Sequence, residues 1–448
     1  MMSARAKKFI ILFGDFVLLY LALFITVYVR YSYMSPEHAN FTTAQFFRLH
    51  IDAFTPLIFM WVVVFYIHNL YEITSAKNTL EFYSGLSRSL IVNFFIAVLF
   101  FYFTNFVNVA PKTNLFIYFA VFSVCFVLWR SEINGLLKKR LLTKTIILSG
   151  DESGEKLASK LNQNPQIGYR VESVFNLNSD IGNLSEFIRS DHIKALIIDD
   201  KFLAKESFAI SLNDFLDNVE IINLDKFNEQ VWRKVNLKSI SQLWFLNNFA
   251  TGRKSVYGFV KRLADFAISL LLLPIVFLFG ALIAVCVKIC DRGPVFYKQI
   301  RVGYKGKYFT LIKFRTMRTD AESKGAQWTV KDDKRVTSVG RFLRKARLDE
   351  LPQIINILRG EMSFVGPRAE RPEFHQLLVK EIPFYDRRYL VKPGLTGWAQ
   401  INYTYGSSIE DTKEKLSYDF YYIKNRSFIF DIGIILKTVN IVLAGLGR

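Results

Sequence analysis

Cysteine is scarce: Cys125, Cys286 and Cys290 are the only three in 448 residues, and all lie in or beside apolar runs. So few, so placed, exclude a disulfide framework. The five histidines are scattered, with no metal pair and no triad, and no Cys/His set has zinc-ligand spacing. Acidic residues are thin in one part of the chain only. Residues 1–252 hold 24 Lys/Arg against 21 Asp/Glu, whereas residues 253–448 hold 34 against 18. No small-residue cleavage site follows the first apolar stretch, so that stretch reads as a retained span, with an uncleaved signal as the weaker alternative.

What the chain has in abundance is apolar and aromatic surface. It is 51% hydrophobic and carries 43 Phe, more than a plain soluble globule uses. Four apolar runs occupy residues 9–29, 54–70, 90–107 and 115–129. Each approaches the length needed to cross a bilayer at about 1.5 Å per residue. Buried core helices of a soluble protein are the competing explanation, but four such runs with short polar gaps fit a membrane bundle better. Nine Lys/Arg lie on one side of these runs (Arg5, Lys7, Lys8, Lys77, Arg88, Arg130, Lys138, Lys139, Arg140) and three on the other (Arg30, Arg48, Lys112). By the positive-inside rule both ends of the four-span unit, residues 1–140, face the cytoplasm. Asp15, inside the first run, is expected against other helices or at an interface.

Residues 141–250 read differently. Strand patterns at TKTIILSG (143–150), KALIIDD (194–200) and VEIINLD (219–225) alternate with a helix over 155–163, which predicts a small parallel α/β domain, Rossmann-like in order. The first turn, SGDESG, is not a GxGxxG loop. It sets Asp151 and Glu152 where a pyrophosphate would need bare amides, so a structural or dimerising role is expected in place of dinucleotide binding.

The apolar segment 261–289 is long enough to span, but Lys261 and Arg262 flank one end and Lys288 and Arg292 the other. Both ends therefore favour one side. Pro274 near the middle removes a backbone hydrogen bond, and a break there would let the helix enter one leaflet and return. A straight fifth crossing is the alternative. Beyond it, residues 291–317 alternate as strands around a Gly303–Gly306 turn, and RLDELPQIINILRG (347–360) carries helical spacing at Leu351, Ile354, Ile355 and Leu358. Pro352 is tolerated only in a first turn. The neighbouring acids Asp349 and Glu350 therefore fall at or just before the helix start, among Lys313, Arg315, Arg341, Arg344, Lys345, Arg347 and Arg368. Adjacent carboxylates repel unless a cation or electrophile sits between them. One acid can then attack phosphorus while the other holds a metal, and arginines suit phosphate oxygens. The residues by themselves point to phosphoryl chemistry near a membrane surface, with a solvated ion-paired helix face as the bland alternative.

The blocks KRLADF, GPVFYKQIRVG, FTLIKFRTM, GRFLRKARLDELPQIINILRGEMSFVGPRAERPEF, YLVKPGLTGWAQI and YDFYYIKNRSFIFDIGIILKT follow in order within residues 257–448. This stretch, roughly two fifths of the chain, resembles the catalytic domain of bacterial sugar transferases, the polyprenyl-phosphate glycosyl-1-phosphate transferase family. The resemblance implies a membrane protein of α plus α/β class: a four-helix transmembrane bundle (1–140), a degenerate Rossmann-like domain (141–250) and an α/β catalytic domain (251–448) whose helix 261–289 is re-entrant and broken at Pro274. Leu273 stands where the family often has a polar residue. It implies that Asp349 attacks the β-phosphorus of a UDP-sugar, expels UMP and passes the sugar phosphate to undecaprenyl phosphate. Glu350 would coordinate Mg²⁺. Arg344, Arg368, Lys313 and Arg315, with Pro367 in the same block as Arg368, would bind substrate. The expected place is the bacterial inner membrane, catalytic domain toward the cytoplasm, with membrane lipid as a partner and a homodimer through the middle domain compatible with the sequence. The expected role is the first step of exopolysaccharide, capsule or O-antigen synthesis.

Rival readings fare worse. A membrane-tethered sugar dehydratase needs a glycine-rich loop and a Tyr-xxx-Lys pair, and Tyr257–Lys261 lies outside the α/β domain. A non-catalytic scaffold for polysaccharide export would tolerate loss of the acids, which are both present. The positive charge accompanies membrane segments and an acid pair, which argues against nucleic acid.

Overall fold

A computed structural model of the chain describes residues 4–33, 43–104, 111–139, 142–176, 188, 192–203, 219–249, 255–291, 293–321, 333–403 and 408–443. It forms two compact units, Met1–Phe227 and Asn228–Arg448.

The first unit begins with helices α1 (Ala4–Tyr33), α2 (Thr43–Ile67), α3 (Leu80–Phe103) and α4 (Pro111–Lys139). Each contains a stretch long and apolar enough to cross a membrane. They share one core, rich in stacked rings: Trp61 packs on Tyr118 at 5.4 Å and Phe65 on Phe126 at 4.6 Å. Asp15 is wholly buried there and pairs with Arg130 of α4, while Trp129 Nε1 donates to its other oxygen at 3.1 Å. An ionised carboxylate so placed requires such partners.

Four parallel strands follow, β1 (Thr143–Ser149), β2 (Tyr169–Asn176), β3 (Ala195–Ile198) and β4 (Glu220–Asn223), in the order β2-β1-β3-β4. Helix α5 (Ser153–Gln163) crosses from β1 to β2. The three strands expected from apolar runs are present. β2 went unread because its YRVESVFN sequence lies at a sheet edge, where burial is partial and the apolar signal weak. At the turn after β1 the Gly150 amide donates to Asp199 Oδ2 at 3.3 Å and the Ser153 amide to Asp151 Oδ1 at 2.8 Å. Carboxylates of the chain itself thus occupy amides that a pyrophosphate would need.

The second unit opens with a segment that includes α6 (Gln242–Phe249). Val235, Trp244, Phe245 and Phe249 pack into this unit's core although they lie within the expected middle domain. Helix α7 (Ser255–Asp291) comes next, 37 residues long; the break expected at Pro274 is not present, and the proline lies inside one continuous α-helical run. It is the fifth helix long and apolar enough to cross, and only 6% of its most apolar window is buried. A hairpin of β5 (Phe296–Val302) and β6 (Tyr308–Phe314) turns through Lys305 and Gly306, both at positive φ, as the Gly303–Gly306 reading expects. Then follow α8 (Ser338–Lys345), a 3-10 turn Leu348–Gln353, α9 (Ile354–Arg359), β7 (Ser363–Val365), α10 (Pro372–Glu381), β8 (Gly394–Thr396), α11 (Trp398–Asn402), α12 (Ile409–Asn425) and α13 (Phe428–Leu443). β7 and β8 pair in parallel.

Candidate active site

The acid pair lies in the 3-10 turn Leu348–Gln353, which Pro352 suits because it needs no amide there, and α9 continues from it. Arg347 enters the turn at φ 56°, a left-handed conformation that side chains rarely adopt. Asn356, wholly buried in α9, ties the turn's helix to the hairpin: its Nδ2 donates to Thr310 O at 2.7 Å and its Oδ1 accepts from Ile312 N at 3.2 Å. These bonds set the acids beside the end of β6, where Lys313 stands.

Asp349 and Glu350 are each about nine-tenths buried, yet both line a cavity of about 470 Å³. Eleven Arg/Lys and four Asp/Glu are among its described lining residues. The two carboxyls differ. Glu350 accepts from Arg368 Nη2 at 3.0 Å and has Arg347 at 3.6 Å. Although its burial opposes charge, these two arginines hold its carboxyl below the usual glutamate range. Among the described residues none hydrogen-bonds the Asp349 carboxylate. Burial and the neighbouring Glu350 push it up to about 6, against the pull of Lys313, Arg344 and Arg368. Burial, with Arg301 and Arg368 nearby, draws the Lys313 ammonium down to about 8, and it rests over the Tyr297 ring at 5.0 Å.

Asp349, Glu350, Lys313, Arg315, Arg344 and Arg368 all line this one cavity. Arg344 reaches it because Gly340 lets α8 press against the backbone at Thr316; a Cβ there would overlap the Thr316 carbonyl. Arg344 Nε then donates to Thr316 Oγ1 at 2.8 Å. Pro367 does not line the cavity: it is buried, and its carbonyl accepts from the Gly394 amide at 2.9 Å, which steadies the backbone leading to Arg368. Pro274 lies elsewhere, in α7.

Several cavity residues were not singled out from sequence. Arg301 of β5 donates to Ala369 O at 3.0 Å, next to Arg368. Arg388 is buried, donates to Asp419 Oδ2 at 2.8 Å and to the Tyr385 hydroxyl, and reaches Arg368 O at 3.1 Å. Arg371, Gln400 and Lys415 complete this side. The basic excess after residue 253 was the available signal, but it does not say which cations converge. A basic cavity in which one of two adjacent acids is ion-paired and the other unbonded can bind phosphate esters and present an oxygen nucleophile to phosphorus.

Comparison with known proteins agrees. The bacterial sugar transferase family model matches residues 256–445. A UDP-N-acetylgalactosamine-undecaprenyl-phosphate N-acetylgalactosaminephosphotransferase of Aeromonas hydrophila is 36% identical over 261 residues, 58% of this chain and 60% of the relative. An undecaprenyl-phosphate glucose phosphotransferase of Komagataeibacter xylinus is 31% identical over 331 residues, covering 68% of this chain and 60% of that protein. The UDP-glucose:undecaprenyl-phosphate glucose-1-phosphate transferase of Escherichia coli (strain K12) is 31% identical over 344 residues, 72% of this chain and 73% of its own length. The chain thus spans 60% of the length of the first two relatives and nearly three quarters of the third. It belongs to the bacterial sugar transferase family.

Proposed function

We propose that this protein transfers a sugar 1-phosphate from a UDP-sugar to undecaprenyl phosphate, with Asp349 as the covalent relay. The observation that carries the reading is the asymmetry of the acid pair: Glu350 is committed to Arg368, while Asp349 is unbonded among the described residues and opens on the basic cavity. In the first half-reaction an Asp349 oxygen forms a bond to the β-phosphorus, and the bond from that phosphorus to the bridging oxygen breaks. UMP leaves with the electron pair, and an acyl phosphate holds the sugar phosphate. In the second, an oxygen of the lipid phosphate attacks the same phosphorus and frees the carboxylate. Arg344, Arg368, Lys313 and Arg315 bind phosphate oxygens in this scheme.

Magnesium fits the donor set. Two adjacent carboxylates supply hard oxygens, and among the described residues no group of three or more His, Cys, Asp or Glu forms a cage. That suits an ion held by one or two carboxylates together with substrate phosphates. Glu350 would hold it by exchanging its Arg368 or Arg347 contact for the ion, which would supply positive charge against the transferred phosphoryl group.

The same reading makes α7 re-entrant. Arg262 donates to Ile357 O and Leu358 O at 2.6 and 2.7 Å, and Gly280 lies against the Phe314 ring of β6. Those helix positions are separated by about 27 Å of rise, close to the hydrocarbon thickness. Both touch one unit, which favours a helix that bends within its continuous run and leaves by the face it entered over a straight crossing. Four spans at the N-terminus then keep the second unit in the cytoplasm, where UDP-sugars are, at the bacterial inner membrane. The product would start a surface polysaccharide such as exopolysaccharide, capsule or O-antigen.

The test is direct. Purified protein with Mg²⁺, undecaprenyl phosphate and a panel including UDP-glucose and UDP-N-acetylgalactosamine should release UMP only when a donor is present. No UMP release with any donor, from folded protein, would sink the reading.

A further inference from the structure

Three residues near the start of α7 do more than set charge at a membrane face. Lys261 Nζ donates to Val365 O at 2.9 Å, to the Tyr422 hydroxyl at 2.9 Å and to Asp431 Oδ2 at 2.6 Å. The same Asp431 accepts from Tyr257 and Tyr422, at 2.7 and 2.9 Å. Asp265, one turn on from Lys261, accepts from the Phe364 amide at 3.3 Å. Between them, Arg262 clasps the two carbonyls Ile357 O and Leu358 O at the C-terminal end of α9. Its fork matches a pair of adjacent acceptors and the negative end of a helix.

What these groups hold is the footing of the acid site. α9 is the direct continuation of the turn that carries Asp349 and Glu350. Phe364 and Val365 are in β7, and Arg368 follows β7 by three residues. Arg368 and Glu350 meet at 3.0 Å, so the two sides of that ion pair stand on two separate backbone segments. One turn of a single membrane helix grips both segments.

We propose that Lys261, Arg262 and Asp265 are positioning residues that lock the acid turn and the Arg368 strand to one turn of α7, so that the seating of this helix in the lipid sets the distance between Asp349 and the cations that hold the substrate phosphate. This rests on the reading of Asp349 given above. A displacement of about 1 Å between nucleophile and bound phosphorus costs on the order of 100-fold in rate, and no other direct bridge between these two backbone segments is needed for the helix to impose it.

The experiment uses the full chain in lipid nanodiscs, with single-turnover UMP release. The amplitude of the first turnover counts active sites, and its rate measures attack by Asp349. Arg262→Gln and Asp265→Asn should keep amplitude and donor KM while the rate falls about 10- to 100-fold. Arg262→Lys, which keeps the charge but not the fork, should recover part of the loss. Wild-type rates in both variants overturn the proposal. So does a lower amplitude at wild-type rate, since that marks a purely structural role. If Arg262→Gln yields no folded protein, the Asp265→Asn and Arg262→Lys rates decide by the same criteria. Asp349→Asn run in parallel separates the two ideas: full activity there removes the reading of the acid pair, whereas a dead Asp349→Asn beside unimpaired α7 variants removes only the positioning role.

Discussion

At the scale of residues, the acid pair makes the sharpest expectations. Asp349→Asn keeps the shape but loses the carboxylate proposed as nucleophile, so UMP release should fall to the blank, and no phosphate should be trapped on the protein. Arg368→Ala removes a cavity cation and leaves Arg347 as the ion-pair partner of the buried Glu350 among the described residues. Donor KM should rise, as a titration of UDP-sugar against initial rate would show; an unchanged KM would mean that Arg368 serves Glu350 alone. Arg388 concerns stability more than chemistry. It and Asp419 are both buried, with Arg388 also bonded to Tyr385. Arg388→Ala strands a buried carboxylate and should cost about 3–5 kcal/mol, read as a lower thermal midpoint. Asp349 and Glu350 were legible in sequence because adjacent acids in a basic stretch break a pattern. Arg388 and Asp419 were not, because 31 residues separate them and each alone looks like an ordinary surface charge.

At the scale of elements, close approaches replace charges. Gly340→Ala would drive α8 off the Thr316 backbone and carry Arg344 with it. Activity should drop about 10-fold or more, with Thr316→Val a milder companion that removes only the hydroxyl; equal activity of Gly340→Ala and the parent would contradict the packing. Helix α7 supplies a topological test. Leu246 and Ile300 flank it and are both exposed. In a chain freed of its three native cysteines, single cysteines at these positions should label from the same side of the membrane. Labelling from opposite sides would establish a fifth crossing. The apolar content of α7 was evident from its sequence, yet a proline inside an apolar run is compatible with a kinked span and with a returning one. Contacts of Arg262 and Gly280 with the same unit favour the second, and those contacts depend on the folded hairpin and α9.

At the scale of the whole molecule, the second unit begins well before the family match at residue 256. Trp398 Nε1 donates to Arg233 O at 2.9 Å, Lys424 pairs with Glu229 at 2.7 Å, and Phe245 packs on Phe384 and Phe420. A chain starting at Asn228 should therefore fold and release UMP in lipid. One starting at Thr251 loses several half-buried aromatic side chains packed against the core, each worth less than the about 1.5–3 kcal/mol of full burial, and should be less stable. Equal thermal midpoints for the two would show that the segment is dispensable.

The sequence by itself determined what depends on neighbours: apolar runs long enough to span, the lopsided charge, three of the four strands and the helix of the α/β layer, and a pair of acids at the mouth of a helix. Periodicity and capping act over a few residues, so they leave their mark there. The tertiary structure decided which distant groups meet: Arg388 with Asp419, Arg301 with the Arg368 loop, Lys261 with a carbonyl 104 residues away, and the segment 228–249 with the second core in place of the first. Such meetings follow from which faces are buried together, a property of the packed chain that no short window of residues contains.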